Sequence, residues 1–214
     1  MVNVKRYFII EGLKRMEIDE YLSDRLRRAG YAGVEIQRTP LGTRVTIYAE
    51  RPGIVIGRGG VNIRELAEIL EKRFGVENPQ IAVAQIQVPE LNAKIMALRI
   101  ARAMERGIHF RRAAFIALRQ IMEAGAKGAE IIISGKLRSE RARYEKFKAG
   151  ELLKSGKPHE ELVDEAVTYV ALKPGIYGIK VRIMPPTKTP DDIIIKEVAI
   201  PPSEERKVEV EGEE

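Results

Sequence analysis

The sequence predicts an α+β protein: two α/β domains followed by an acidic extension. Two observations predict it. Apolar residues recur at helical spacing in some segments and at every second position in others, alternating along most of the chain. The charge is divided as well. Residues 1–150 carry 28 Lys and Arg against 17 Asp and Glu, whereas the last 24 residues, from Asp191, carry 3 against 9.

Composition excludes several chemistries. The chain has 214 residues, two His, no Cys and no Trp, with a net charge of +6. The absence of Cys removes disulfides, thiolate nucleophiles and Cys-ligated metals. Apolar runs such as Phe8-Ile9-Ile10 and Ile131-Ile132-Ile133 fall far short of the ~20 residues of a membrane span. With no signal-peptide core visible, the expectation is a soluble cytosolic protein without a membrane partner. A charged fraction of 32% with few Asn and Gln fits the ion-pair networks of heat adaptation. The densest basic stretch, Arg102 to Lys148, holds 12 cations against 5 carboxylates and invites a polyanion.

The elements follow in order. Phe8, Ile9, Leu13, Met16, Tyr21, Leu22 and Leu26 predict a helix over 5–29, with a candidate break and fresh N-cap at Asp19 and an end at Gly30. Val34–Gln37 and Arg44–Tyr48 alternate and are joined by Pro40-Leu41-Gly42, a hairpin signal. A short helix, a glycine loop and a helix with Ile63, Leu66, Ala67, Leu70 and Phe74 on one face come next. Residues 80–88 then read as a strand. Helices are expected over 91–106 and 110–124, and strands over 129–134, 165–172 and 178–184. Residues 135–150 read as polar and basic, with no element assigned. From Pro185 the chain reads as an extended tail rich in Pro and charge.

The glycine loop is Gly57-Arg58-Gly59-Gly60. A phosphate-binding G-x-x-x-x-G-K-[ST] loop does not fit. Its nearest stretch, Gly150 to Pro158, fails on spacing and lacks the hydroxyl. A G-x-G-x-x-G dinucleotide loop fails because Asn62 stands where the third Gly belongs. Val55-Ile56-Gly57-Arg58-Gly59-Gly60-Val61-Asn62-Ile63 resembles the KH signature I-G-x-x-G-x-x-I, whose loop clamps a nucleotide backbone. Glycines let the chain turn tightly and let a sugar–phosphate approach closely. Arg58 adds charge at the tip, and the following helix offers unpaired N–H groups. Ile56 and Ile63 are expected to anchor the loop to the core. The plain alternative is a helical corner that needs φ > 0.

The flanking order, helix–strand–strand–helix–helix–strand, is similar to the type II KH arrangement. The expected organisation is therefore a type II KH domain (αββααβ) over 1–90 and a helix-plus-mixed-sheet domain over 91–187. A Pro-rich acidic tail over 188–214 completes it.

Behind the glycine loop come Gly125-Ala126-Lys127-Gly128, Ser134-Gly135-Lys136-Leu137-Arg138 and Gly178-Ile179-Lys180-Val181-Arg182-Ile183-Met184. In this order and spacing the set resembles the small-subunit ribosomal protein S-three family. Lys146-Phe147 and the acidic tail look closer to archaeal and eukaryotic members. The resemblance implies a structural place in the head of the small ribosomal subunit, with small-subunit rRNA, mRNA at the entry channel and neighbouring head proteins as partners. It implies no cofactor and no catalysis. It carries mRNA contact onto Arg111 and Arg112. Bacterial relatives have a third cation, a Lys, where Phe115 stands here, and Phe115 is expected in the core. The basic stretch Lys127, Lys136, Arg138, Arg141, Arg143, Lys146 and Lys148 is expected to meet rRNA phosphates. Phe147 is open to base stacking or core packing, as is Tyr144.

Three other features carry less. His109 and His159 stand isolated, and Glu160-Glu161 with Asp164-Glu165 read as a solvated helix face. The first helix is expected to pack on the sheet or on a partner protein. The rival functions are a free-standing KH regulator, which would not need residues 91–185, and a Lys-dependent nucleic-acid lyase, which lacks a nucleophile–base pair.

Overall fold

The computed structural model describes residues 4–40, 42–187 and 189. Apart from Thr189, the expected acidic tail lies outside the described residues.

In the N-terminal half, helix α1 (Val4–Arg25) and a 3-10 turn (Arg27–Ala29) lead into strands β1 (Tyr31–Thr39) and β2 (Gly42–Ala49). Helices α2 (Pro52–Ile56) and α3 (Val61–Phe74) then cross over to β3 (Pro79–Gln85). The sheet runs β1-β2-β3, antiparallel between β1 and β2 and parallel between β2 and β3. A parallel neighbour needs a crossover, and α2–α3 supply it. Ile18, Leu22, Tyr31, Val45, Ile47, Val55, Leu66, Leu70 and Phe74 form the core.

Helix α1 runs without a break through Asp19. That side chain is not a cap: it accepts the Tyr31 hydroxyl at 2.5 Å and meets Lys94 at 3.4 Å. Helix α1 buries side chains only in its C-terminal part, at Ile18 and Leu22. Val4, Phe8, Ile9, Leu13 and Met16 are exposed, and the first half touches the sheet only through Tyr7 and Glu11, which meet Arg38 on β1.

In the C-terminal half, α4 (Ala93–Glu105) and α5 (Phe110–Glu123) pack against a sheet of β4 (Gly128–Gly135), β5 (Arg143–Gly150), β6 (Asp164–Leu172) and β7 (Gly175–Met184). A short helix, α6 (Lys157–Leu162), precedes β6. The strand order is β5-β4-β7-β6. Met96, Ile100, Leu118 and Ile121 meet Ile131, Ile133, Ile179, Val181 and Ile183 in one core.

The sheet expected to be mixed in this half is antiparallel throughout. No crossover helix joins two neighbouring strands, so no parallel pair forms. Strand β5 occupies the stretch left without an element. It is an edge strand whose residues are mostly exposed, so Phe147 alone gives an apolar signal, and charge suits an edge.

Glu160 and Glu161 lie on α6, but Asp164 and Glu165 belong to β6. Asp164 Oδ2 accepts from Ala93 N at 2.7 Å and Asn92 Oδ1 from Ile95 N at 3.1 Å, so both cap α4. Strand β3 ends at Gln85, short of the expected 88, before a 3-10 turn at Pro89–Leu91. Ion pairs join the halves: Arg27 to Glu105 at 3.0 Å, and Arg99 to Glu50 at 3.0 Å and Glu90 at 2.9 Å.

Candidate nucleic-acid interface

The glycine loop sits between α2 and α3. Gly57 has φ 74° and ψ 175°, and Gly59 and Gly60 have φ 62° and 76°. A Cβ on Gly57 would come within 2.6 Å of the Asn62 side chain. That amide donates through Nδ2 to Ile54 O at 3.0 Å and ties α3 back to α2. Asn62, noticed in the sequence only as a mismatch to another motif, is the loop's clasp. Nothing lies within 4 Å of where a Cβ on Gly59 or Gly60 would stand, and Arg58 is exposed at the tip. The expected anchor shifts by one residue: Ile56 is 40% exposed, and Val55 is the fully buried side chain. In the short α2 turn only one of the three apolar positions 54–56 can face the sheet.

Helix α5 opens with His109 as N-cap, its Nδ1 accepting from Arg111 N at 3.4 Å. Arg111 lies against the Phe110 ring and donates through Nε and Nη2 to both Glu145 oxygens, at 2.8 and 2.9 Å. Arg138 joins the same carboxylate at 3.0 Å. The structure thus brings together two cations that stand far apart in sequence. Arg112 is exposed and makes no hydrogen bond or ion pair among the described residues. Phe115 is not in the core: it is 59% exposed and lies edge-on to Phe147 at 5.2 Å. Phe147 takes the core place, at 9% exposure.

The basic stretch does not form one surface. Strand alternation puts Arg143, Glu145 and Phe147 on the α5 side of β5, and Tyr144, Lys146 and Lys148 on the open side. Lys136, Arg141, Arg143 and Lys148 are exposed and unpaired among the described residues. Lys146 is engaged. It reaches Glu130, a fully buried carboxylate on β4, at 3.0 Å, with Arg182 at 3.3 Å and Lys154 at 3.8 Å. Burial pushes the Glu130 pKa up. Lys146, Lys154 and Arg182 outweigh it, and the carboxyl is held below its usual range. Glu165 on β6 is lowered in the same way, with burial opposed by Lys180 and Arg182.

Lys127 lies in the turn before β4, its N donating to Met184 O and its O accepting from Glu151 N, both at 3.0 Å. A Cβ on Gly150 would come within 2.2 Å of Lys127 O, so the close approach of β5 to this turn requires glycine there. Among the functional-site side chains, sequence reasoning passed over Asn62, Glu145 and Glu130. The available signal for Glu145 was its place, with Glu140, as one of two carboxylates inside the cationic stretch from Lys136 to Lys148.

Comparison with known proteins agrees with this architecture. Residues 17–91 match the KH domain model, and residues 100–183 match the model described as ribosomal protein S3, C-terminal domain. The small ribosomal subunit protein uS3 of Saccharolobus solfataricus is 56% identical over 204 residues, covering 95% of this chain and 89% of that one. The protein of the same name from Thermofilum pendens is 57% identical over 198 residues, covering 92% and 98%. That from Methanobrevibacter smithii is 54% identical over 193 residues, covering 90% and 77%. Identity at this level across both halves decides the matter: the chain belongs to the small ribosomal subunit protein uS3 family.

Proposed function

We propose that the chain is a structural component of the small-subunit head that binds rRNA and helps form the mRNA entry channel, ribosome-bound in the cytoplasm and without catalytic activity. One observation carries this reading. Arg58, Arg112, Lys136, Arg141, Arg143 and Lys148 are exposed cations without an ion-pair partner among the described residues, on a protein rich in carboxylates. Cations left unpaired beside available carboxylates suit a polyphosphate, whose contacts contribute salt-dependent affinity and little sequence information.

The roles divide by location. Gly57, Arg58, Gly59 and Gly60 form a loop open to a sugar–phosphate backbone. Arg111 and Arg112 face mRNA, and Arg138, which shares Glu145 with Arg111, serves rRNA with the rest of the basic stretch. Lys127, Lys136, Arg141, Arg143, Lys146 and Lys148 serve rRNA. The exposed apolar side chains Val4, Phe8, Ile9, Leu13 and Met16 of α1 suit a neighbouring head protein, since a stripe of this kind is seldom left open to water.

Sedimentation of a cell lysate through a sucrose gradient tests the placement. The chain is expected with small subunits and polysomes. Recovery mostly at the top of the gradient would overturn the proposal and favour a free-standing KH regulator.

A further inference from the structure

Between the two halves lies a cleft of about 460 Å³ lined by Glu50, Arg51, Arg99, Arg102 and Arg106, with Ile108 and Ile116 on its apolar side. The carboxylates around it are committed. Glu50 is 3.0 Å from Arg99 and 3.9 Å from Arg51, Glu90 is 2.9 Å from Arg99, and Glu105 is 3.0 Å from Arg27. Arg102 is left over. Its guanidinium makes no hydrogen bond or ion pair among the described residues, and its Nη2 is buried and unpartnered. Burial holds its pKa below the usual arginine value. Glu50 opposes that, and Arg51 and Arg27 add to it. A guanidinium stays charged, so this site is short of an anion.

We propose that the cleft binds a phosphodiester of single-stranded RNA, with Arg102 and Arg106 on the phosphate and Ile108 and Ile116 against the base or ribose. This rests on the RNA-binding reading of the glycine loop and α5. Its position supports RNA over a protein carboxylate. Arg51 immediately precedes α2, which leads into the glycine loop, and Ile116 stands one helical turn after Arg112 on α5. Segments adjoining both proposed RNA surfaces thus line the cleft. Ile108 and Ile116 are partly exposed and give a nucleoside an apolar wall. The backbone at the C-terminal end of α4 offers no anion site, so the guanidinium groups must do the binding.

The test uses the full chain and a fluorescein-labelled oligouridylate, with binding read by anisotropy across a salt series. Arg102→Met and Arg106→Gln should each weaken binding roughly three- to ten-fold and flatten the log Kd against log salt slope by about 0.7, one phosphate contact on a single strand. Arg102→Met should also raise Tm, because an uncompensated buried charge is removed. Ile116→Glu, on an exposed wall away from the interdomain ion pairs, should weaken binding equally. If Arg112→Gln weakens binding while the Arg102, Arg106 and Ile116 variants leave affinity and slope unchanged, the cleft proposal fails and the wider RNA reading stands. If the wild-type chain does not bind the oligouridylate, both fail. Displacement of the RNA by oligoglutamate at equal charge, dependent on Arg102, would assign the cleft to a protein carboxylate and overturn the proposal.

Discussion

Glu145 holds Arg111 through both carboxylate oxygens, while Arg112, the next residue, has no partner among the described residues. The two arginines are neighbours in sequence but unlike in electrostatic state. One is tied to β5 in a bidentate pair together with Arg138, and the other is presented to solvent. Arg112→Ala should therefore impair translation through structured mRNA more than Arg111→Ala does, and both should spare unstructured mRNA. Equal loss on the two templates would refute the assignment to the entry channel.

Glu145→Gln releases Arg111 and Arg138 and removes one negative charge from the surface. Both arginines are substantially exposed, so the stability lost should be small, about 0.5–1 kcal/mol in chemical denaturation. Affinity for single-stranded RNA should rise, with a steeper salt dependence. A fall in affinity would mean that Glu145 positions Arg111 for RNA rather than withholding it.

The glycine loop separates fold from binding. Gly57→Ala places a Cβ against Asn62 at positive φ and should cost about 1–3 kcal/mol in denaturation midpoint analysis. Asn62→Ala removes the clasp to Ile54 and should cost about 1 kcal/mol. Replacing Arg58 with Asp should leave the melting temperature nearly unchanged, whereas Gly59→Asp, at φ 62°, should cost about 1 kcal/mol of backbone strain, and both should weaken RNA crosslinking by charge repulsion because both positions are open to solvent.

The sheet carries an acid sensitivity. Glu130 and Glu165 have native pKa values held below the usual carboxylate value of 4.5. Their stabilisation is complete above that value and is lost as pH falls through the lower native values. Glu130→Gln should flatten this acid limb. It should also cost about 2–3 kcal/mol at neutral pH, less than a sealed buried pair, because Lys146 and Lys154 can swing into water. Thermal melts of both proteins over a pH series check the sign and the size.

The edge-to-face pair on α5 and β5 should respond unequally. Phe147→Ala empties a core position and should cost about 3–4 kcal/mol, whereas Phe115→Ala, more than half exposed, should cost under about 1 kcal/mol. Equal losses would show that Phe115 is buried in the folded chain.

Much of this architecture is legible before any coordinates. Apolar periodicity locates α3, α4 and α5 and the strands β1, β2, β4, β6 and β7 to within a few residues, because each buries one continuous face. Edge strand β5 escapes, since five of its eight residues are exposed and three are lysine or arginine. Asp19 misleads because a short acidic residue suits a cap, yet here its carboxylate serves the buried Tyr31 hydroxyl across 12 residues. The glycine loop and the cationic residues are visible as types. Which cations are free is not visible, because that depends on where Glu145 and Glu130 fall in three dimensions. The cleft beside Arg102 is likewise assembled from segments 50 residues apart.

The central claim is that unpaired cations of this chain contact RNA in the small subunit. The most direct measurement is ultraviolet crosslinking of purified small subunits, with the RNA-bearing peptides identified by mass spectrometry. Adducts are expected on peptides containing Arg58, on the start of α5 at Arg112, and on the segment from Lys136 to Lys148. Adducts confined to other segments, or none on this chain, would contradict the account.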